Sequence, residues 1–307
     1  MSTTNLAGRT AIVTGAGSGL GRAEAIALAQ AGANVVVNDI GAAADAVVAE
    51  IRALGTGAVA VKGDVGSWAL GDEMVAAAVD SFGSLDIVVN NAGVLRDTMI
   101  FNLTEQARDD VLRVHLKGHA SLSRAAAVHW RAASKAAGGP VYGRLINTSS
   151  EAFLFGAAGQ PNYSAAKAGI TALTLSASRG LSRYGVTANV ICPRARTEMT
   201  AHVFAEDTRT DQLDILAPER VGTFVSYLAS PASADINGRV FVVYGDMVAL
   251  MDSPKVEQKF TAAAGTFSLD ELDAQLSPYF TGRSPYQNYA AYSVAELDTT
   301  GIEHIAS

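Results

Sequence analysis

The chain has 307 residues, 49% of them hydrophobic and 17% charged, with a formal net charge of −7. This composition gives a globular chain able to bury a large core; it excludes a disordered one, and the lack of a basic cluster argues against nucleic acid as a partner. A single cysteine, Cys192, excludes an intrachain disulfide and fits a reducing, cytoplasmic setting, and no apolar run of about 18 residues could span a membrane. The polar stretch over residues 1 to 9 has no apolar signal region.

In chain order, Thr10–Thr14 is a β-branched strand that runs into Thr14-Gly-Ala-Gly-Ser-Gly-Leu-Gly21, and an Ala-rich helix follows from about Leu20 to Gly32. The apolar run Val35–Val37 then ends at Asn38-Asp39. This is a strand–helix–strand unit whose first turn holds too much glycine for ordinary packing. Glycines there let the backbone approach a pyrophosphate, and the N–H groups at the helix start attract its charge. An acidic residue at the end of the second strand suits the ribose hydroxyls of an adenosine.

Ala42–Leu54 reads as a helix ended by Gly55, Ala58–Val61 as a strand entering Gly63-Asp64-Val65, and Ser67–Phe82 as a helix closed by Gly83. Leu85–Val89 is a strand ending in Asn90-Asn-Ala-Gly93, and Thr104 to about Ala133 reads as one long helix. Gly138-Gly-Pro140 marks a loop. Leu145–Thr148 is a strand ending at Ser149-Ser150, Pro161–Tyr184 a second long helix, and Thr187–Cys192 a strand stopped by Pro193. Pro218 fits the first turn of a helix to Ala229, and Val240–Tyr244 is the last strand. The alternation predicts an α/β fold: a doubly wound, parallel, seven-stranded sheet with helices on both faces.

Residues 1–250 form the dinucleotide-binding and catalytic domain in this reading, and 251–307 a helical extension packed on it. Within the extension Ser253–Ala264 could be a helix, and Ser268 with Glu271 is a capping box opening a helix that stops before Pro278. Phe260, Phe267, Tyr279, Phe280, Tyr286, Tyr289 and Tyr292 are too many aromatics for a solvated linker, and the tail is expected to cover the substrate side of the site.

Tyr163 and Lys167 stand four apart on a predicted helix and share a face. Ser150 ends the preceding strand, at the sheet edge where ligands bind. An ammonium beside a phenol lowers its pKa, so Tyr163 could take a proton from an alcohol while Ser150 hydrogen-bonds the substrate oxygen. No histidine shows metal-ligand spacing with another or with Cys192, so no zinc site is expected at His115, His119, His129, His202 or His304. Trp68 and Trp130 read as core or interface aromatics.

Together, Thr14-Gly-x-x-x-Gly19-x-Gly21, Asn90-Asn-Ala-Gly93, Ser150 and Tyr163-x-x-x-Lys167 resemble the short-chain dehydrogenase/reductase family, from roughly Leu6 to Tyr244. The resemblance implies a Rossmann-type sheet, NAD as cofactor, and Ser150, Tyr163 and Lys167 as the catalytic groups. It places the pyrophosphate at Gly15, Ser18, Gly19, Leu20 and Gly21, and the adenosine at Asp39, Ile40, Asp64 and Val65. It also lines the cofactor site with Asn91, Ala92, Gly93, Val114, Tyr163 and Lys167, and has the segment holding Ala195, Arg196 and Thr197 meet the nicotinamide amide. NAD is expected over NADP, because Asp39 would repel a phosphate.

The chain also departs from the family pattern. His115 stands where the family often has a fourth catalytic member, an asparagine, and is either a catalytic partner or a packed residue. Arg194 replaces the usual glycine after the proline, and Arg194 and Arg196 are candidates to meet a substrate phosphate or carboxylate. Val114-His-Leu-Lys-Gly118, Asn38-Asp-Ile-Gly41 and Gly159-Gln-Pro-Asn-Tyr-Ser164 resemble the (3R)-hydroxyacyl-CoA dehydrogenase part of peroxisomal multifunctional enzyme type 2 and its bacterial relatives. That implies a 3-hydroxyacyl-CoA substrate in lipid metabolism, with an apolar hydroxysteroid, or a catalytically silent nucleotide-sensing protein, as the alternatives. Family members commonly pair through the two long helices, which implies a homo-oligomer, a tetramer.

Overall fold

The computed structural model describes residues 3–200, 213–252, 254–284 and 297. Eight strands form one sheet in the order β3-β2-β1-β4-β5-β6-β7-β8. They are β1 (Thr10–Thr14), β2 (Asn34–Asp39), β3 (Ala58–Lys62), β4 (Ile87–Asn90), β5 (Gly143–Thr148), β6 (Val186–Pro193), β7 (Val240–Tyr244) and β8 (Met247–Leu250). The first seven pair in parallel, so both faces need cover and the central strands are nearly unbroken apolar runs; Val35, Val36 and Val37 are fully buried. β8 was not anticipated. It turns back antiparallel on β7 through Gly245, whose φ of 59° is open to glycine, and it is too short and half-exposed to stand out in sequence.

The covering helices are α1 (Gly19–Gln30), α2 (Ala43–Ala53), α3 (Leu70–Phe82), α4 (Glu105–Leu112), α5 (Gly118–Ala137), α6 (Ala152–Phe155), α7 (Pro161–Leu181) and α8 (Pro218–Ala229). One core cluster lies on the face under α1, α2 and α8, and a second lies on the face under α3 and α5. The strand order reverses between β1 and β4, which opens a crevice at the carboxyl edge of the sheet. Thr14, Asp39, Asn90, Thr148 and Pro193 all end their strands on that edge.

Three helix expectations are corrected. The long helix over 104–133 is divided by a π-helical turn, Arg113–Lys117, between α4 and α5. Such a turn adds a residue to the repeat and is often found at functional sites; here it carries Val114 and His115. Ser253–Ala264 forms no helix among its described residues. The capping box does open α9 (Leu269–Phe280), with Ser268 Oγ accepting the Glu271 N–H at 3.1 Å, but the helix runs through Pro278. Proline lacks only its own N–H bond there and sits in the last turn, where little helix remains to be disturbed. Tyr286, Tyr289 and Tyr292 lie outside the described residues.

Candidate active site

The turn after β1 is shaped by what its glycines must avoid. A methyl group at Gly15, where φ is 62°, would sit 2.8 Å from Ala92 Cα, and one at Gly21 would run into the Gly15 carbonyl. Asn91 braces the same turn: its N–H donates to Thr14 Oγ1 at 3.0 Å and its amide to Thr14 O at 3.2 Å. Ser18 precedes α1 with extended backbone and no side-chain cap, so the N–H groups of the first turn, from Gly19 through Leu20, face the crevice. At the end of β2, Asp39 Oδ2 accepts the Gly17 N–H at 2.9 Å, and a methyl at Gly17 would touch that carboxylate. Ile40 beside it is 78% exposed, an apolar surface left open at the crevice. Asp64 accepts the Gly66 N–H and pairs with Arg113, while Val65 packs in one cluster with Val114 and Ala92. Across the crevice a methyl at Gly19 would meet Thr197 at 3.3 Å, so the segment Ala195–Thr197 leans on the glycine turn. This cradle of close backbone, helix N-terminus and terminal carboxylate fits a dinucleotide.

α7 begins with Pro161, whose missing N–H costs nothing in a first turn. It points Tyr163 and Lys167 at the end of β5. Lys167 is fully buried and its Nζ donates to Thr148 O at 2.8 Å, 5.3 Å from the Tyr163 ring centre. Ser150 Oγ accepts the Ala152 N–H at 3.2 Å and also meets the Tyr163 hydroxyl. The three expected catalytic groups are thus brought together.

Their electrostatics differ from the expectation. Burial pushes Tyr163 up to about 12, opposed by the Ser150 hydrogen bond, and burial pushes Lys167 down to about 7, opposed by Cys192 and Glu24. With the chain alone, Lys167 gives up its charge before Tyr163 gives up its proton. The ammonium therefore helps the phenolate only where something keeps Lys167 charged.

His115 packs under the site. Its ring meets Tyr163 edge-on at 5.2 Å, and its Nε2 lies 3.0 Å from Val94 N and 2.8 Å from Val94 O. It also fills the space that a side chain at Gly93 would need. Burial, with Lys167 nearby, holds His115 well below the usual range and pushes His119 down to about 3. The unfolded chain takes up protons at these two sites below about pH 6.5 while the native chain does not. Stability should therefore fall as pH drops from about 6.5 toward 3, His119 contributing a loss of about 1.4 kcal/mol for every pH unit and His115 adding to it in the same direction. Urea midpoints at pH 7 and pH 5 check this: the midpoint should be lower at pH 5, and His119→Gln should reduce the difference.

Arg194 is not poised for a substrate anion. Its Nε and Nη2 grip Glu151 at 2.6 and 2.7 Å, with both side chains buried, and its guanidinium lies 4.4 Å from the Tyr244 ring centre. Arg196 pairs with Asp214 at 2.7 Å. The sequence reading missed this Glu151–Arg194 clamp, which ties the residue after Ser150 to the segment after β6. It also missed the buried amide layer in which Asn90 donates to Asn147 at 2.9 Å and Asn147 to Thr174 at 2.8 Å. Glu24, a carboxyl on the buried face of α1, was likewise missed, though an acidic residue within an Ala/Leu stripe was a visible signal. Among the described residues no cluster of three or more His, Cys, Asp or Glu could hold a metal ion, and no helix is long and apolar enough to cross a membrane. His202 and His304 lie outside those residues.

Comparison with known proteins agrees with the geometry. A short chain dehydrogenase family profile matches residues 9–208. The chain is 56% identical over 299 residues to hydroxyacyl-CoA dehydrogenase ChsB1 of Mycobacterium tuberculosis, covering 94% of each chain. It is 41% identical over 246 residues, 77% of its length, to mouse peroxisomal multifunctional enzyme type 2, of which the match spans 31%. A short chain dehydrogenase from Mycobacterium avium superposes with a TM-score of 0.82 at 42% identity, over 91% of this chain and 97% of that one. With the glycine turn, the terminal carboxylate and the Ser150–Tyr163–Lys167 cluster in place, this chain belongs to the short-chain dehydrogenase family and is an oxidoreductase.

Proposed function

We propose that the protein is an NAD(H)-dependent dehydrogenase interconverting a 3-hydroxyacyl-CoA and its 3-oxoacyl-CoA. The observation that carries this is the convergence of Ser150, Tyr163 and Lys167 at the crevice, in a chain 56% identical to a protein named hydroxyacyl-CoA dehydrogenase. Tyr163 takes the proton of the substrate hydroxyl, Ser150 holds that oxygen, and Lys167 supplies positive charge beside the phenol. The nicotinamide, when bound, accepts the hydride. His115 supports Tyr163 through its ring edge. Asp39, already fixed by the Gly17 N–H, favours ribose hydroxyls and disfavours a phosphate.

We read the protein as cytoplasmic and as a homotetramer pairing through α5 and α7, where Val128 and Leu175 are exposed apolar residues. The extension from 251 is read as part of the same domain, capping the substrate side. One assay tests the main reading. Purified protein should reduce NAD in the presence of a 3-hydroxyacyl-CoA, with a kcat/KM at least tenfold above that for a hydroxysteroid and above that with NADP. A preference for the steroid would move the substrate to the alternative class, equal efficiency with NADP would remove the role given to Asp39, and no turnover on any secondary alcohol would favour a silent binding protein.

A further inference from the structure

The segment after β6 touches both halves of the site. On one side Thr197 lies 3.3 Å from where a methyl at Gly19 would sit, so a dinucleotide lying over the glycine turn lies against this segment as well. At the root of the segment Arg194 is fixed to β7: its N–H donates to Val243 O at 3.0 Å, and its guanidinium lies 4.4 Å from the Tyr244 ring centre. From there its Nε and Nη2 grip the buried Glu151 carboxylate at 2.6 and 2.7 Å. Glu151 stands at the N-cap of α6, yet its side chain caps nothing there. That bond falls to Ser150, whose Oγ accepts the Ala152 N–H at 3.2 Å. α6 then meets α7 one residue past Tyr163, where Ser164 Oγ donates to Ala152 O at 3.0 Å. One line of contacts therefore runs from the cofactor cradle through Arg194 and Glu151 to α6, and from α6 to both Ser150 and the start of α7.

Stability alone does not account for this pair. The desolvation cost of burying two charges largely offsets their attraction, and apolar side chains of similar volume would fill the space as well. What a two-pronged grip adds is a fixed distance and angle between the segments it joins. We propose that the Glu151–Arg194 clamp carries occupancy of the cofactor cradle to Ser150. With a dinucleotide in the cradle the segment after β6 is held in place, Arg194 holds Glu151 with it, and Glu151 in turn holds α6 and the Ser150 hydroxyl. Glu151 and Arg194 are then positioning residues, acting through Ser150 and not on the substrate. The loaded protein presents a Ser150 already in position, so cofactor and substrate tighten each other's binding by the same factor.

The proposal rests on the reading of the glycine turn as a dinucleotide site, and its first test needs no substrate. Amide hydrogen exchange is followed by mass spectrometry with NADH as the probe: peptides over 15–22 report the cradle, and peptides over 150–156 report α6. In the parent, saturating NADH should slow exchange in both, α6 by about fivefold or more. In Glu151→Met/Arg194→Met it should slow exchange over 15–22 alone. A merely structural role would not give that pattern, since looser packing speeds exchange in α6 with and without NADH but leaves the response to NADH in place. If the double variant does not fold, Arg194→Lys serves: an ammonium keeps the charge without the two-pronged grip, and the α6 response should be lost there too. In parallel, affinity for 3-hydroxybutyryl-CoA, which cannot react with NADH, should rise about fivefold or more when NADH is present in the parent, and not in the clamp variant. Equal α6 responses in parent and variant overturn the proposal, as does a parent in which NADH protects 15–22 and leaves α6 unchanged. A parent with the expected α6 response that binds no acyl-CoA would overturn the substrate reading and leave the coupling standing.

Discussion

Tyr163→Phe should fold, bind NAD with unchanged affinity, and turn over about two to four orders of magnitude more slowly. The substitution removes one hydroxyl from a ring already held edge-on by His115, so the packing around it survives. What is lost is the group placed both against Ser150 and beside Lys167 that can take the substrate proton, and positioned proton transfer contributes about 10²–10⁴-fold. Because the substitution acts on the chemical step, kcat should fall while KM stays near the parent value. Steady-state kinetics with NAD titrations by fluorescence check both halves. A variant that keeps most of its turnover would remove Tyr163 from the reaction.

Arg194→Met should lower stability by about 3–5 kcal/mol, because it strands the Glu151 carboxylate in a buried site. At this chain length each kcal/mol corresponds to about 1.5 °C, so Tm should drop by about 5–8 °C. The double variant Glu151→Met/Arg194→Met should recover much of that loss, since removing both charges also removes the cost of burying them. Activity should not recover in step. The clamp holds Glu151, the neighbour of Ser150, to the segment that leans on the glycine turn, and apolar replacements fill the space without fixing that geometry. Thermal unfolding followed by fluorescence, with kcat measured on the same three proteins, checks the pattern.

The parts legible in the sequence were those where a local rule has few exceptions. The glycine turn was readable because only glycine tolerates the backbone at Gly15 and the approach of Gly21 to the Gly15 carbonyl. Tyr163 and Lys167 were readable because a helix puts residues four apart on one face. The π turn at 113–117 was not, since one extra residue in the repeat hardly disturbs an apolar pattern that continues on both sides. The Glu151–Arg194 clamp joins residues 43 apart and depends on β5 and β6 lying side by side, which no local pattern encodes. Tyr163 and Lys167 share a helix face as their spacing implies, but the burial that pushes the phenol up and the ammonium down in the chain alone is set by the surrounding fold and is not encoded in that spacing.

The antiparallel β8 decides where the tail starts. The seven parallel strands all deliver the chain to the ligand edge, but β8 carries it back, and at Met251 it lies beside the start of β7, its N–H donating to Val240 O at 2.9 Å. The chain has by then retreated roughly 13 Å from the crevice, four residues at about 3.4 Å each. Leu297 packs against the apolar cluster of Val190, Cys192, Leu216, Val242 and Tyr244, which Met251 also joins. Cutting the chain at Asp252 would do more than remove a cover from the crevice: it would also uncover the apolar cluster on which Leu297 rests, so a fair trial of the tail's part in substrate choice has to change side chains within it and keep Leu297.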